Sequence, residues 1–424
     1  MSWNLRYAIK SYFLSTVWIA PVIALALEQA TFRIAYVHQL DFGWLPGFVF
    51  DREGSIAAAD YVISAAIAFI VFTFSSLLVA IQVASGQLSP RIIATTLLRD
   101  KAIRRSVALF VYALLLAVAV KTRIDTIPRS LVSLMGILGL INVVAFMFLI
   151  DYAARLLRPV SIVWRIAQQG LKVIDDVYPH PVQASSVPVQ PPERLGPVDR
   201  TVPHRGSSAI VIAVNLPALV AAARRADAII EFVPRGDFVA TDEPLFSLRG
   251  GGAIKIDDRS LCAQVAFGRE RTIEQDATFA FRVIVDIAIK ALSPAINDPT
   301  TAVLAIDQLQ RLLRTVGSRD LRDERIFDGD GRLRVIFRTP NWKDFVHLTF
   351  REIRRYGAGN FQIVRRLRAM IENIVQSLPE ARLPPLRQEL ELLDRSAEEL
   401  YAFPEDLELA RFPDSQGLGG ASDP

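Results

Sequence analysis

Thirty consecutive residues, Tyr61 to Pro90, contain no Asp, Glu, Lys or Arg. A bilayer core about 30 Å thick is crossed by roughly 20 apolar residues of α-helix, because every backbone N–H and C=O must find its partner inside the segment. A stretch this long and this uncharged is matched to lipid as its solvent. Ser11 to Leu27, Ser106 to Val120 and Ser130 to Ile150 repeat the pattern. The third of these is short, with Arg105 and Lys121 placed to snorkel from its ends. Four transmembrane helices are therefore expected, at about 11–27, 61–85, 106–120 and 130–150, as an all-α N-terminal membrane bundle. The first is expected to be retained, because no small-residue cleavage site follows it.

Charge gives an orientation. Eleven Lys and Arg (Arg6, Lys10; Arg91, Arg99, Lys101, Arg104, Arg105; Arg155, Arg158, Arg165, Lys172) fall on one side of the expected spans. Five (Arg33, Arg52, Lys121, Arg123, Arg129) fall on the other, mixed with acids. The positive-inside rule then puts both termini in the cytoplasm. The net charge of +4 is absorbed by the same bias and does not require nucleic acid. Inside the spans the polar residues are Ser64, Thr73, Ser75, Ser76 and Gln82 in the second and Asn142 in the fourth. They are candidates for lining a pore, although hydroxyls and amides also serve simply to pack helices. The expected spans hold no mid-depth Asp, Glu, Lys or Arg, which argues against a proton-coupled pump.

The later two-thirds of the chain is charged and reads as a cytoplasmic α+β domain. Residues 155–174 suggest a juxtamembrane helix completing a 1–174 membrane region, and 175–207 a Pro-rich linker. Residues 208–268 form a small β-rich unit: strands at 208–214 and 228–233, a Pro234–Asp237 turn, a strand or hairpin arm over 238–248, and an extended 253–256. Residues 269–412 read as helical, and 413–424 as a disordered tail. Lone Cys262 excludes an internal disulfide and a thiolate zinc cluster, and His38, His180, His204 and His347 are scattered. No cofactor is indicated. The arginines Arg351, Arg354, Arg355, Arg365, Arg366 and Arg368 lack interleaved aromatics, so a solvated or lipid-facing helix surface is expected rather than nucleic-acid binding.

The chemistry-bearing residues concentrate between 271 and 301. Thr272–Gln275 has the Thr-x-x-Gln form of a capping box, and the following helix to about Leu292 is apolar nearly all round. Arg282, Asp286 and Lys290 make a charged stripe on it at four-residue spacing. Asp298 before Pro299 is a helix cap with Pro at the first helical position. Arg271, Glu274, Asp276, Arg282, Asp286, Lys290, Ser293, Asn297 and Asp298 are thus either a ligand site or a structural ion-pair ladder.

The stretches Arg271-Thr272-Ile273-Glu274-Gln275-Asp276 and Leu292-Ser293-Pro294-Ala295-Ile296-Asn297-Asp298-Pro299 resemble a bacterial membrane-protein family of unknown activity, domain of unknown function 2254. Ala295 stands where that pattern has glycine. The Gly236-Asp237 turn and the four spans fit the same resemblance, which implies a multi-pass protein of the bacterial inner membrane and gives no reaction.

Three functions follow from these features. The first is a homo-oligomeric channel or transport-like protein for a small ion or solute, gated by its cytoplasmic domain. The second is a membrane-anchored sensor taking a metal ion or small polar ligand on the oxygens of Glu274, Asp276, Asp286, Asn297 and Asp298. The third is a membrane-bound hydrolase, which ranks last because no Ser–His or Cys–His pair is present, so no enzyme is expected.

Overall fold

The computed structural model describes residues 2–15, 19–38, 51–87, 100–156, 158–182, 195–321 and 324–419. The chain divides into two compact units, Ser11–Ile162 and a second made of Met1–Lys10 with Val163–Pro424.

The first unit is helical. After α1 (Trp3–Ser15) come α2 (Ile19–His38), α3 (Arg52–Gln87), α4 (Lys101–Thr122) and α5 (Arg129–Leu156). Among the described residues three helices have the length and composition of a membrane span: Arg52–Val79, Lys101–Thr122 and Arg129–Arg155, with mean hydropathies of 2.5, 2.0 and 2.4. These overlap the second, third and fourth expected spans. The first, 11–27, runs across residues 16–18, outside the described residues. Small residues let the helices close: a Cβ on Gly139 of α5 would come within 2.8 Å of Val62 on α3. Phe69 and Phe146 stack at 4.1 Å, and Phe110 lies 6.4 Å from Phe146. Polar ties fix the ends. Asp100 caps α4 by accepting from the Ala102 N–H at 2.8 Å, and the Tyr152 hydroxyl of α5 donates to its other oxygen at 2.7 Å. At the opposite end Arg52 pairs with Asp125 at 2.8 Å and Lys121 with Asp60 at 2.5 Å.

Helix α2 continues to His38, and Glu28 lies in its middle at 3% exposure, accepting the Gln29 amide at 2.8 Å. The unit therefore buries a carboxylate.

The second unit mixes helices with two sheets. Its strands are β1 (Arg200–Pro203), β2 (Ala209–Val214), β3 (Ile229–Phe232), β4 (Phe238–Val239), β5 (Pro244–Arg249), β6 (Val265–Gly268), β7 (Glu324–Phe327) and β8 (Leu333–Phe337). They assemble as β1-β5-β3-β8-β7 and β4-β2-β6. Every pair is antiparallel except β3 with β8, which run parallel with Ile230 opposite Val335. Val335 and Phe337 of β8 are buried in one core with Ile230, Phe232, Leu245 and Leu248.

The helices are α6 (Pro159–Val177), α7 (Leu216–Ala226), α8 (Asp258–Cys262), α9 (Ala277–Ala291), α10 (Pro299–Gly317), α11 (Trp342–Gly357), α12 (Phe361–Ser377), α13 (Leu383–Leu400) and α14 (Pro404–Ala410). As its composition requires, α9 is the central one: Phe281, Ile284, Val285, Ile287 and Ala288 are all 0% exposed. Each such large side chain contributes about 1.5–3 kcal/mol by leaving water. From Val163 onward α6 packs within this unit, where Gly170 allows approach so close that a Cβ would meet Ala280 at 2.8 Å.

Several local readings are corrected. Thr272 makes no side-chain cap; Asp276 caps α9 instead, and the Gln275 amide oxygen accepts from the Val214 N–H at 3.3 Å. Residues 253–255 form a 3-10 turn, and β1 lies inside the expected linker. The β7–β8 hairpin interrupts the stretch read as helical. Arg365 and Arg368 are not solvated: they are 0% and 6% exposed, and Arg366 pairs with Asp307 at 2.7 Å. Nor is the start of the tail loose. Arg365 donates to the Phe412 carbonyl at 3.0 Å and the Gly419 carbonyl at 3.3 Å, while buried Asp414 accepts the N–H groups of Gln416, Gly417 and Gly419 at 3.0, 2.8 and 2.6 Å.

Candidate functional site

The motif residues separate along α9. This helix of 15 residues is about 22 Å long at 1.5 Å per residue, with Asp276 at its N-terminus and Asp298 beyond its other end. Asp298 caps α10, accepting the Thr301 N–H at 3.0 Å and the Thr301 hydroxyl at 2.5 Å. Asn297 beside it adopts φ +49, the left-handed conformation that the loop needs, so Ala295 carries no strain in glycine's place. The Ser293 hydroxyl donates to the Lys290 carbonyl at 2.7 Å. Midway along α9, Arg282 pairs with Asp286 and reaches Glu352 of α11. Glu274 is exposed and accepts the Tyr7 hydroxyl. The five oxygens proposed as one cation shell therefore lie in separate places, and among the described residues no group of three His, Cys, Asp or Glu is arranged to hold a metal ion.

Arg271 and Asp276 belong to a different grouping. Asp276, 8% exposed, accepts from Arg271 Nε at 3.0 Å and from the Phe279 N–H at 3.2 Å, so one carboxylate both caps α9 and holds the arginine. Directly against them lies Gly236 at φ +89; any Cβ there would strike the Arg271 guanidinium and the Asp276 carboxylate. This turn and the motif together wall a cleft of about 590 Å³, also lined by Arg235, Asp237, Gln275 and Arg338. It lies where β3 and β8, the parallel pair, both end: Arg235 and Asp237 follow β3, and Arg338 follows β8. Ligand crevices in sheets with parallel strands form at such carboxyl ends. Two long helices, α9 and α11, begin at the same cleft, contributing Ala277 and Asn341 to its wall.

Its charges are partly committed. Arg235 lies over the Phe337 ring at 5.2 Å and donates to Gln275 at 3.4 Å. Arg338 is exposed, with no ion-pair partner among the described residues. Partial burial pushes the Asp237 carboxyl above the ordinary carboxylate range; Arg271 opposes that rise and Asp276 adds to it. Sequence reasoning found Arg271 and Asp276 but treated Arg235-Gly236-Asp237 only as a turn, and it missed Arg338 because the strand before it was not recognised.

In the membrane unit the polar residues also divide. Thr73 is buried and turns its hydroxyl onto the Phe69 carbonyl at 2.6 Å. Asn142 is 2% exposed, with neither amide atom hydrogen-bonded among the described residues. Ser76 is half-buried, whereas Ser64, Ser75 and Gln82 are exposed. These three stand eleven and seven residues apart, about three and two helical turns, and so form a single stripe on α3.

A bundle of long apolar helices joined to a charged domain of two sheets and packed helices defines an integral membrane protein. The chain belongs to the family of predicted membrane proteins DUF2254, whose pattern it matches over residues 10–373. It is 28% identical over 426 residues to an uncharacterized protein of Mycobacterium bovis, covering 94% of this chain and 79% of the other. An uncharacterized protein of Mycobacterium tuberculosis strain H37Rv matches with the same identity and coverage. No solved structure gives a significant match.

Proposed function

We propose that this protein is a homo-oligomeric conduit for a small ion or solute in the bacterial inner membrane, with four crossings per chain. The observation that carries the reading is the Ser64–Ser75–Gln82 stripe on the exposed face of α3. Polar groups facing hydrocarbon are unfavourable, and facing the same groups of neighbouring copies around an aqueous path relieves them. Parity supports the fourth crossing. Residues 2–10 share a unit with 163–424: the Asn4 N–H donates to the Ala263 carbonyl at 3.2 Å, and Tyr7 to Glu274. Segments so joined lie on one side of a bilayer, so an even number of crossings separates them. Three helices give an odd number, and α2 supplies the remaining one. The basic residues put that shared side in the cytoplasm.

Reconstitution into liposomes tests the conduit. Flux that changes on Ser75→Ala or Gln82→Leu supports it, together with dimers of Ser75→Cys under oxidation; no flux of any ion or solute and no crosslink removes it. Cysteine accessibility on either side of α2 tests the parity argument separately.

A second reading, a membrane-anchored sensor, is favoured by the cleft. Arg235 and Arg338 suit a small anionic ligand better than a cation, since guanidinium groups match carboxylate and phosphate oxygens. Thermal shift against phosphate, carboxylates and nucleotides, lost in Arg338→Ala, tests it.

A further inference from the structure

Glu28 is the observation that neither reading uses. It is 3% exposed, in the middle of α2, in a unit whose helices α3, α4 and α5 have the length and composition of membrane spans. Its depth follows from its neighbours. Thr31, one turn further on, shares a 2.8 Å hydroxyl–hydroxyl bond with Tyr112. Tyr112 is the twelfth residue of the 22-residue helix α4, which is its midpoint. The next residue, Phe32, lies 5.2 Å below the Arg123 guanidinium just past the end of α4, so α2 and α4 run in the same direction. Glu28 lies about 4.5 Å from the level of Thr31, measured along the helix. That places it well inside a hydrocarbon core about 30 Å thick. Its side chain faces protein, as the buried Ala24 and Ala35 on the same helix do.

A carboxylate at that depth needs a countercharge, a metal ion or a proton. Among the described residues no Lys, Arg or His pairs with it, and no group of three His, Cys, Asp or Glu could complete a metal shell. Its one hydrogen bond among the described residues is from the Gln29 amide to Oε2 at 2.8 Å, which leaves Oε1 as the oxygen that can carry hydrogen. We propose that Glu28 is a proton-binding site inside the membrane unit, taking up and releasing one proton reversibly at Oε1. No other bond changes in the step: the carboxylate gains H⁺ and becomes neutral, and the reverse returns it. The proposal rests on α2 crossing the membrane, but not on the protein conducting anything.

Dicyclohexylcarbodiimide, an apolar reagent that adds to protonated carboxyls in water-poor surroundings, tests it on the full-length protein in lipid. Peptide mass spectrometry should find an adduct on Glu28 at acidic pH that falls about tenfold for each pH unit once the group ionises. The adduct should be absent from Glu28→Gln. No adduct at any pH overturns the proposal, because the group is then paired or shielded. A constant adduct across the whole range also overturns it, because the proton is then a fixed structural one. Should Glu28→Gln fail to fold, the pH series on the unmodified protein still decides. Topology is read independently by cysteine accessibility, so a failure of the four-crossing reading is recognised separately from a failure of the proton site.

Discussion

Arg282 on α9 grips Glu352 on α11 through two parallel hydrogen bonds, 2.5 and 2.8 Å, while its Nε holds Asp286 one turn along its own helix at 2.7 Å. The charged stripe that stood out on an apolar helix is thus the seam between two helices of the second unit. The hydrogen bond from Arg282 holds the Glu352 carboxyl below its ordinary range, with partial burial opposing. A depressed carboxylate contributes stability that is present above its unfolded-state value and is lost as pH falls through the folded one. Glu352→Gln should therefore lower the melting temperature at neutral pH and change it little in acid. The loss is expected to be about 1 kcal/mol or less, because the pair is partly screened by water. A loss that stays constant with pH contradicts this.

The β7–β8 hairpin has its own acid sensitivity. Arg334 holds the Asp328 carboxylate down at about 2, bonding it at 2.6 Å while also reaching Asp227 at 2.8 Å. The Arg332 and Asp330 N–H groups add to the effect on Asp328. The sign is again that of a lowered carboxylate: the stabilisation is complete above the ordinary Asp range near 4 and disappears as pH approaches 2. Hydrogen exchange across Glu324–Phe337 should accelerate over that interval, and Asp328→Asn should give the fast rate at every pH.

Gly236→Ala should damage the cleft while leaving the membrane unit intact. Its φ of +89 is unfavourable for any side chain, and the added carbon would displace Arg271 from Asp276. Strain of this kind costs about 1–3 kcal/mol. Solvent exchange and proteolysis around 271–280 should rise, with helical content in detergent unchanged. Wild-type protection throughout 271–280 would refute the account.

Asp414→Ala should release the chain's last ordered turn. The side chain gathers three N–H groups in a buried setting, and leaving such donors unsatisfied costs about 1–3 kcal/mol each. Limited proteolysis should then clip the variant near residue 413 well before wild type.

How much of this was legible in advance depended on range. Asp298-Pro299 caps its helix as read, because a cap is settled within four residues of chain. The same local reasoning failed at Thr272, where tertiary contacts assign the helix start to Asp276 and lend Gln275 to Val214. Arg365 looked like a surface residue because its partners, Phe412 and Gly419, are some fifty residues away in sequence. Strand β8 was read as helical context; its pairing with β3 joins residues about a hundred apart, and its own five residues offer little alternation to betray it.

The anchoring of the tail has a practical corollary. The family pattern stops at residue 373, yet Arg365, inside that limit and wholly buried, is bonded by carbonyls at 412 and 419, outside it. A version of the protein trimmed to the recognisable pattern would lose both carbonyls that bond this guanidinium. The stretch that the family pattern spans and the stretch that seals Arg365 are different lengths of the same chain.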